Sequence, residues 1–347
     1  MSLSSLSSLL LPAIEVEMQR IVALCRTDQT AEMHQMIAYH LGWEGEGAGP
    51  KAQGKRIRPL LVLLSYGATL PSSFILPMYS SAHPSSFPAA ASVELLHNFS
   101  LIHDDIQDNS PLRRGRPTVW KQWGIAQAIN AGDAEYTLAY TAMLELTKTA
   151  SPEIALEAVN ILQRTCLHLT QGQYLDLSFE TRPSITLDDY WTMIGGKTAA
   201  LTAACTELGA LVGGADNKTR AAYREFGRYL GLAFQVQDDL LGIWGDTALT
   251  GKSAESDLVA GKKSLPVVYG LAQNGPFAAR WVEGPIHAGE ASALADQLET
   301  EGARDYTQKM ADDLTGKALQ CLEEANPRGE AGEALVELAN QLLKRMQ

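Results

Sequence analysis

The chain has 347 residues, 46% hydrophobic and 20% charged, which excludes a wholly disordered chain and supports a sizeable core. The formal net charge of −12 sets the average surface against nucleic acid, which is not expected as a partner. Local basic pockets remain compatible with that charge.

The opening stretch, Met1 to Leu11, is rich in serine and leucine but has no basic segment and no cleavage site. It is expected to be a frayed tail on a single domain spanning residues 1–347. Ile14, Met18, Ile21, Val22 and Cys25 then recur at helical spacing. Gly42 to Gly54 carries five glycines and a proline and reads as a loop. Leu60, Leu63, Leu64 and Gly67 resume the helical spacing behind Pro59, a residue suited to a first turn. Pro71 to Pro88, with four prolines and many serines, is a second connection. Ala89 to Asp108 reads as an apolar helix, and Leu138, Met143, Leu144 and Leu146 mark another Ala-rich one. Further breaks fall at Ser110–Pro117, Thr181–Ser184, Gly213–Asn217, Gly245–Lys263 and Asn274–Pro285. Strand-like alternation is scarce, so the expected fold class is all-α, with about ten or more helices. No apolar run approaches the ~20 residues needed to span a bilayer. Cys25, Cys166, Cys205 and Cys321 have no close spacing, which fits reduced thiols in a cytoplasmic protein.

Two segments carry chemistry. In His97 to Asp108, Asp104 and Asp108 are four residues apart and share a helix face, with Asp105 beside them. Like charges at that spacing repel unless something compensates, and Mg²⁺ does so by taking carboxylate oxygens together with substrate phosphates. In Phe234 to Gly242, Gln235, Asp238 and Asp239 share a face of a second apolar helix. If the two acidic helices face each other, they hold metal between them. Basic residues bracket both segments. Lys55 and Arg58 precede a helix start, a natural anion site. Arg113, Arg114 and Arg116 follow the first segment; Lys197 and Thr198 follow Gly195-Gly196; Lys252, Lys262 and Lys263 follow the second segment. Singly each cation reads as a solvated surface group, but as a set they suit diphosphates and metal ions.

With GKxxRP at Gly54–Pro59, DDxxD at Asp104–Asp108, RRGRP at Arg113–Pro117 and FQxxDD at Phe234–Asp239, in that order, the chain resembles the trans-isoprenyl diphosphate synthases, the polyprenyl synthetase family. The resemblance runs from about Lys55 to about Gly270. It implies an isoprenoid synthase type I helical bundle around a deep central cavity, usually a homodimer. It also implies three Mg²⁺ ions per active site, with Asp104, Asp108 and Asp238 as ligands and Asp105 and Asp239 as supporting carboxylates. By the same resemblance Arg113, Lys197, Thr198, Gln235, Lys252 and Lys262 bind the allylic diphosphate (dimethylallyl, geranyl or farnesyl). Lys55, Arg58, His97 and Arg114 bind isopentenyl diphosphate. The implied reaction is head-to-tail condensation to a linear prenyl diphosphate. One departure stands out: the second motif reads DDLLG, with Gly242 where an aspartate is usual and Asp246 four residues on.

Product length is expected to depend on residues N-terminal to the first motif. Ser100, Phe99 and Leu96 lie about 6, 7.5 and 12 Å along the helix from Asp104. Ser100 and Leu96 fall near the aspartate face, while an ideal helix turns Phe99 away from it. Phe99 as the floor of the product pocket therefore comes from the resemblance, and ordinary core packing is the competing reading. An aromatic there resembles C20 geranylgeranyl diphosphate synthases, with C15 farnesyl diphosphate the rival product. A terpene cyclase on the same fold is disfavoured by the absence of its N-D-x-x-S-x-x-x-E motif and by retention of Lys55, Arg58 and His97. A non-catalytic synthase subunit is disfavoured because all three aspartates of the first motif remain.

Overall fold

The computed structural model describes residues 1–71, 86–245 and 255–343. Helices follow one another in chain order: α1 (Leu3–Val22), α2 (Ala31–His40), α3 (Pro50–Gln53), α4 (Ile57–Thr69) and α5 (Phe87–Gln107). A two-stranded hairpin, β1 (Leu112–Arg113) and β2 (Arg116–Pro117), comes next. Then follow α6 (Val119–Trp123), α7 (Ile125–Leu144), α8 (Pro152–Glu180), α9 (Leu187–Ile194), α10 (Ala200–Val212) and α11 (Asn217–Trp244). The last are α12 (Ser256–Val259), α13 (Leu265–Gln273), α14 (Pro276–Trp281), α15 (Ala288–Thr300), α16 (Ala303–Ala325) and α17 (Gly329–Leu343). The expected all-α class holds, and among the described residues no disulfide joins the cysteines.

The chain forms two compact units. The first takes residues 1–163, 204–221 and 326–337. Its core is built on α5, buried along most of its length and packed chiefly on α7, with α1 and α4 against it. The expectation of a frayed tail at Met1–Leu11 is corrected here. Leu3, Leu6 and Leu10 are buried on α1, in line with Ile14, Met18 and Ile21. Ser2 caps the helix through its hydroxyl, which accepts from the Ser5 N–H. Burial of one leucine face outweighs the modest helix preference of the intervening serines.

The second unit takes residues 164–203, 222–325 and 338–347. One of its apolar clusters gathers Ile243, Leu258, Val267, Phe277, Leu294 and Leu298. Thr186 and Asp189 form a reciprocal cap that starts α9. Between α9 and α10 the backbone widens into one π-helical turn over Gly195–Ala199.

Candidate active site

In the first unit, α5 ends at the first aspartate motif, and its three carboxylates are treated differently. Asp104 is half-buried and Asp108, the C-cap residue, is exposed. Asp105 is buried and turned onto Arg113, whose Nε donates to both carboxylate oxygens at 2.9 and 3.0 Å. Burial pushes the Asp105 carboxyl up, against the pull of Arg113.

Arg113 lies on β1 and pairs with Arg116 across the hairpin. The two-residue turn between them, Arg114 and Gly115, has positive φ at both positions (52° and 77°), the tight turn suited to a right-twisted hairpin. Arg114 Nη1 donates to the carbonyls of Ala52 and Gln53 at 2.7 and 2.9 Å. A Cβ at Gly54 would meet the Arg114 Cζ at 2.7 Å, so the glycine of GKxxRP makes room for that guanidinium. Arg116 stacks on the Tyr39 ring and donates to the carbonyls of Tyr39, Glu44 and Glu46, pinning the Gly-rich loop.

The GKxxRP segment divides its cations. Arg56 is buried, holds a left-handed backbone (φ 46°) and pairs with Glu15 and Glu94 at 2.7 and 2.9 Å. Burial lowers its affinity for a proton, but the two glutamates outweigh that and raise its pKa. Lys55 is exposed just ahead of α4. Arg58 is half-buried, and its buried Nε has no hydrogen-bond partner among the described residues. Arg58, Arg113, Arg114 and His40 all act on His97, and together with burial they hold its imidazole well below the usual histidine range. The positive charge felt at His97 thus comes from Arg58, Arg114 and Arg113, a combination suited to an anion.

On α5, Leu96 and Ser100 are buried, and the Ser100 hydroxyl donates to the His97 carbonyl at 2.8 Å. The Phe99 ring packs edge-on against His103 and Tyr136, with centroids 5.2 and 5.1 Å apart, and Tyr136 continues to Tyr140.

The second unit repeats the division between paired aspartates. Asp238 is exposed; Asp239 is buried and accepts from the Tyr190 hydroxyl at 2.6 Å, the Leu265 N–H at 2.8 Å and the Gln235 amide at 3.0 Å. Burial, the largest influence, pushes the Asp239 carboxyl up to about 6 even against those three donors. Gln235 in turn accepts from the Thr198 hydroxyl at 2.8 Å. Lys197 and Thr198 sit on the π-turn, and Lys197 pairs with Asp176 of α8. Gly172 and Gly196 let the backbones of α8 and the π-turn approach closely: a Cβ at Gly172 would fall 2.1 Å from the Lys197 backbone nitrogen.

The adjacent lysines are resolved by their surroundings. Lys262 is exposed, its Nζ 3.7 Å from Asp257. Lys263 donates to the carbonyls of Phe179 and Glu180 at the end of α8, at 2.7 and 3.3 Å, and burial lowers its pKa. Lys252 and Asp246 lie outside the described residues. Arg56, Asp176, Tyr190 and Asp257 went unmarked in the sequence reading. The partners of Arg56, Asp176 and Tyr190 are distant in the chain, that of Asp257 is the nearby Lys262, and no short motif signals any of them.

Among the described residues, no three His, Cys, Asp or Glu side chains converge into a closed metal cage. The donor set nonetheless fits Mg²⁺, which keeps most of its waters and shares one or two carboxylates with substrate phosphates. Asp104 and Asp108, one turn apart at a helix end, and the exposed Asp238 are carboxylates of that kind.

This helical architecture, with an aspartate pair on each of two apolar helices, defines the class of all-α isoprenyl synthases. The polyprenyl synthetase family profile matches residues 49–292. A (2E,6E)-farnesyl diphosphate synthase of Mycobacterium tuberculosis H37Rv is 41% identical over 285 residues, 79% of this chain and 75% of that one. A geranylgeranyl diphosphate synthase of the same strain is 40% identical over 297 residues, 84% of this chain and 81% of that one. The crystal structure of a polyprenyl synthetase from Streptomyces coelicolor A3(2) superposes with a TM-score of 0.81 at 35% identity, covering 97% of each chain. The chain belongs to the polyprenyl synthetase family.

Proposed function

We propose that this protein is a short-chain prenyltransferase that joins isopentenyl diphosphate to an allylic diphosphate (dimethylallyl, geranyl or farnesyl) and releases mainly C20 geranylgeranyl diphosphate. The observation that carries the reading is the buried Asp105 holding Arg113 on the same hairpin whose Arg114 is pinned to the Ala52 and Gln53 carbonyls, just before the GKxxRP segment. Isopentenyl diphosphate binds to Arg114, Arg58, His97 and Lys55 in this reading. The allylic diphosphate binds to Arg113, Lys197, Lys252 and Lys262, with Thr198 and Gln235 supporting the site through their mutual hydrogen bond.

Asp104, Asp108 and Asp238 would hold Mg²⁺, three ions in this reading, which would supply positive charge to the departing diphosphate. Arg113 and the lysines neutralise the same leaving group. The C–O bond to diphosphate breaks to leave an allylic cation, whose C1 the isopentenyl double bond then attacks. The departing diphosphate takes the proton lost in forming the new double bond. Exclusion of water from the reacting carbon keeps the cation from being quenched.

Phe99, with Tyr136 beyond it, supports a floor that stops growth at C20. A C15 farnesyl product is the second reading, favoured by the near-equal identity to relatives named for each product. The enzyme works as a cytoplasmic homodimer in this reading. No helix among the described residues is long and apolar enough to cross a membrane. The test is incubation of the purified protein with isopentenyl diphosphate, Mg²⁺ and each primer in turn, followed by chromatography of the dephosphorylated products. Absence of a linear prenyl alcohol, or appearance of cyclic hydrocarbons, overturns the proposal.

A further inference from the structure

On α7 the residues Ala128, Ala131, Leu138, Ala139 and Ala142 form a buried stripe at helical spacing, and Glu135 stands in the middle of it. Its side chain is as buried as theirs, and neither carboxyl oxygen has a hydrogen-bond partner among the described residues. A leucine would complete the pattern. An acid there calls for a reason, because buried polar atoms are normally paired and an ionised, unpaired carboxylate in such a place costs several kcal/mol.

The neighbourhood offers no free cation. The charges that act on Glu135 are Arg56, ahead of α4, and Glu94 of α5. Arg56 already donates to Glu15, to Glu94 and to the Leu41 carbonyl, so one guanidinium serves two carboxylates before Glu135 is counted. The Cys25 thiol, just after α1, also feels Glu135, while α2 and α6, packed against α7 as well, bring no charge that acts on it. Nor is α7 free to turn and expose the acid. A Cβ at Gly132 would lie 2.3 Å from the His103 Nε2, and Tyr136 packs edge-on against Phe99, so close contacts with α5 flank position 135. Enclosed in this way the carboxyl keeps its proton: burial, the largest influence, holds its pKa well above the usual carboxylate range.

We propose that Glu135 is a pH-sensitive latch in the first unit: with its proton it seats α7 against α5 as a neutral side chain, and loss of that proton sets a third carboxylate against Arg56 and loosens the packing of the two helices. The sign follows from linkage. The folded protein holds a proton that the unfolded chain releases above the ordinary value of 4.5. The latch therefore contributes fully below that pH and loses its contribution as pH rises, by up to about tenfold in the folding equilibrium constant per pH unit, until the folded-state carboxyl itself ionises. This runs opposite to the effect of the buried histidines, which weaken the fold toward acid.

Urea unfolding of the full chain at stepped pH, from about 6 to about 9, tests the latch against two variants. Glu135→Gln keeps the shape and cannot ionise. It retains Cys25, His40 and His97, so its comparison with wild type isolates Glu135. The ratio of its folding constant to that of wild type should rise with pH, by up to about tenfold per unit. Glu135→Leu, which completes the apolar stripe, should show the same rise and carries the test if the glutamine variant does not fold. A ratio independent of pH, in whichever variant folds, would overturn the latch. Hydrogen exchange, corrected for the intrinsic effect of pH, locates the loosening. Amides of α5 and α7 should lose protection in wild type as pH is raised and keep it in the non-ionising variant. Equal protection in the two proteins would overturn the link to the packing of α5 on α7. None of these readouts depends on the reaction the protein catalyses.

Discussion

Arg56 and Arg58 are two residues apart in one motif, yet the structure assigns them opposite physical roles, and substitution should separate them cleanly. The Arg56 side chain is 3% exposed and lies between Glu15 and Glu94, which are 16% and 4% exposed. It also donates to the Leu41 carbonyl at 3.0 Å. Arg56→Ala leaves one buried carboxylate, one half-buried carboxylate and a carbonyl without their cation, a change that costs about 3–5 kcal/mol. For a chain of this length, with an unfolding entropy of about 2.1 cal/mol/K per residue, that corresponds to a fall in Tm of roughly 4–7 °C. Removing one acid as well, in Arg56→Ala/Glu94→Gln, should recover part of the loss. Arg58→Ala removes a cation that no acid neutralises among the described residues, so its Tm should fall by about 1 °C or less, or rise. Its effect should appear as a raised KM for isopentenyl diphosphate, larger than any change for the allylic substrate. Calorimetry and steady-state kinetics on the two variants check this. A larger Tm loss in Arg58→Ala than in Arg56→Ala would refute the division of roles.

Asp104→Ala and Asp238→Ala should each lower turnover by about two orders of magnitude or more while far-UV circular dichroism stays that of wild type; near-native activity in either would sink the metal assignment. His97 and His40 are both held well below the ordinary histidine pKa by burial and nearby arginines. The native state therefore binds fewer protons than the unfolded chain, so stability is full above about pH 6.5 and declines below it, by up to about 1.4 kcal/mol per pH unit for each histidine. Urea unfolding at stepped pH should show a shallower acid loss in His97→Gln than in wild type, and equal slopes would contradict the argument. Phe99→Ala should lengthen the main product beyond wild type on chromatography, and an unchanged distribution would move the floor elsewhere.

The helical class and the two aspartate motifs were legible because a four-residue spacing of charge in an apolar background survives any tertiary arrangement. The resemblance names Lys262 rather than Lys263, and their surroundings differ in the structure: one faces solvent and the other closes the end of α8. Arg56 was not legible, because what distinguishes it from Arg58 is Glu15 and Glu94, brought together only by folding. The first helix was misjudged for a different reason. Leu3, Leu6 and Leu10 do carry the helical spacing, but the serines between them look like loop until one face is buried. Gly242 was visible as a departure, but that a Cβ there would fall 2.1 Å from Asp257 Oδ2, on another helix, was not.

The aspartate pairs themselves pose a question that the structure answers in both units. A single outward carboxylate would suffice to meet a metal ion, yet each motif opens with two. In each pair the first aspartate is left half-buried or exposed, and the second points inward to fixed donors: Asp105 to Arg113, Asp239 to Tyr190, Leu265 and Gln235. Adjacent residues on a helix point about 100° apart, so one can serve the solvent side while the other ties the helix to its neighbours. The inner aspartate thereby fixes the rotation of the helix about its axis, and so the direction of the outer one. Asp105 does this by clamping the hairpin that carries Arg113 and Arg114; Asp239 does it by closing the start of α13, close after Lys262 and Lys263 in the chain. Each inner carboxylate sets its outer partner relative to the cations proposed to bind the same diphosphate. Loss of an inner aspartate should therefore weaken both charge sets at once, while loss of an outer one should act first on the metal.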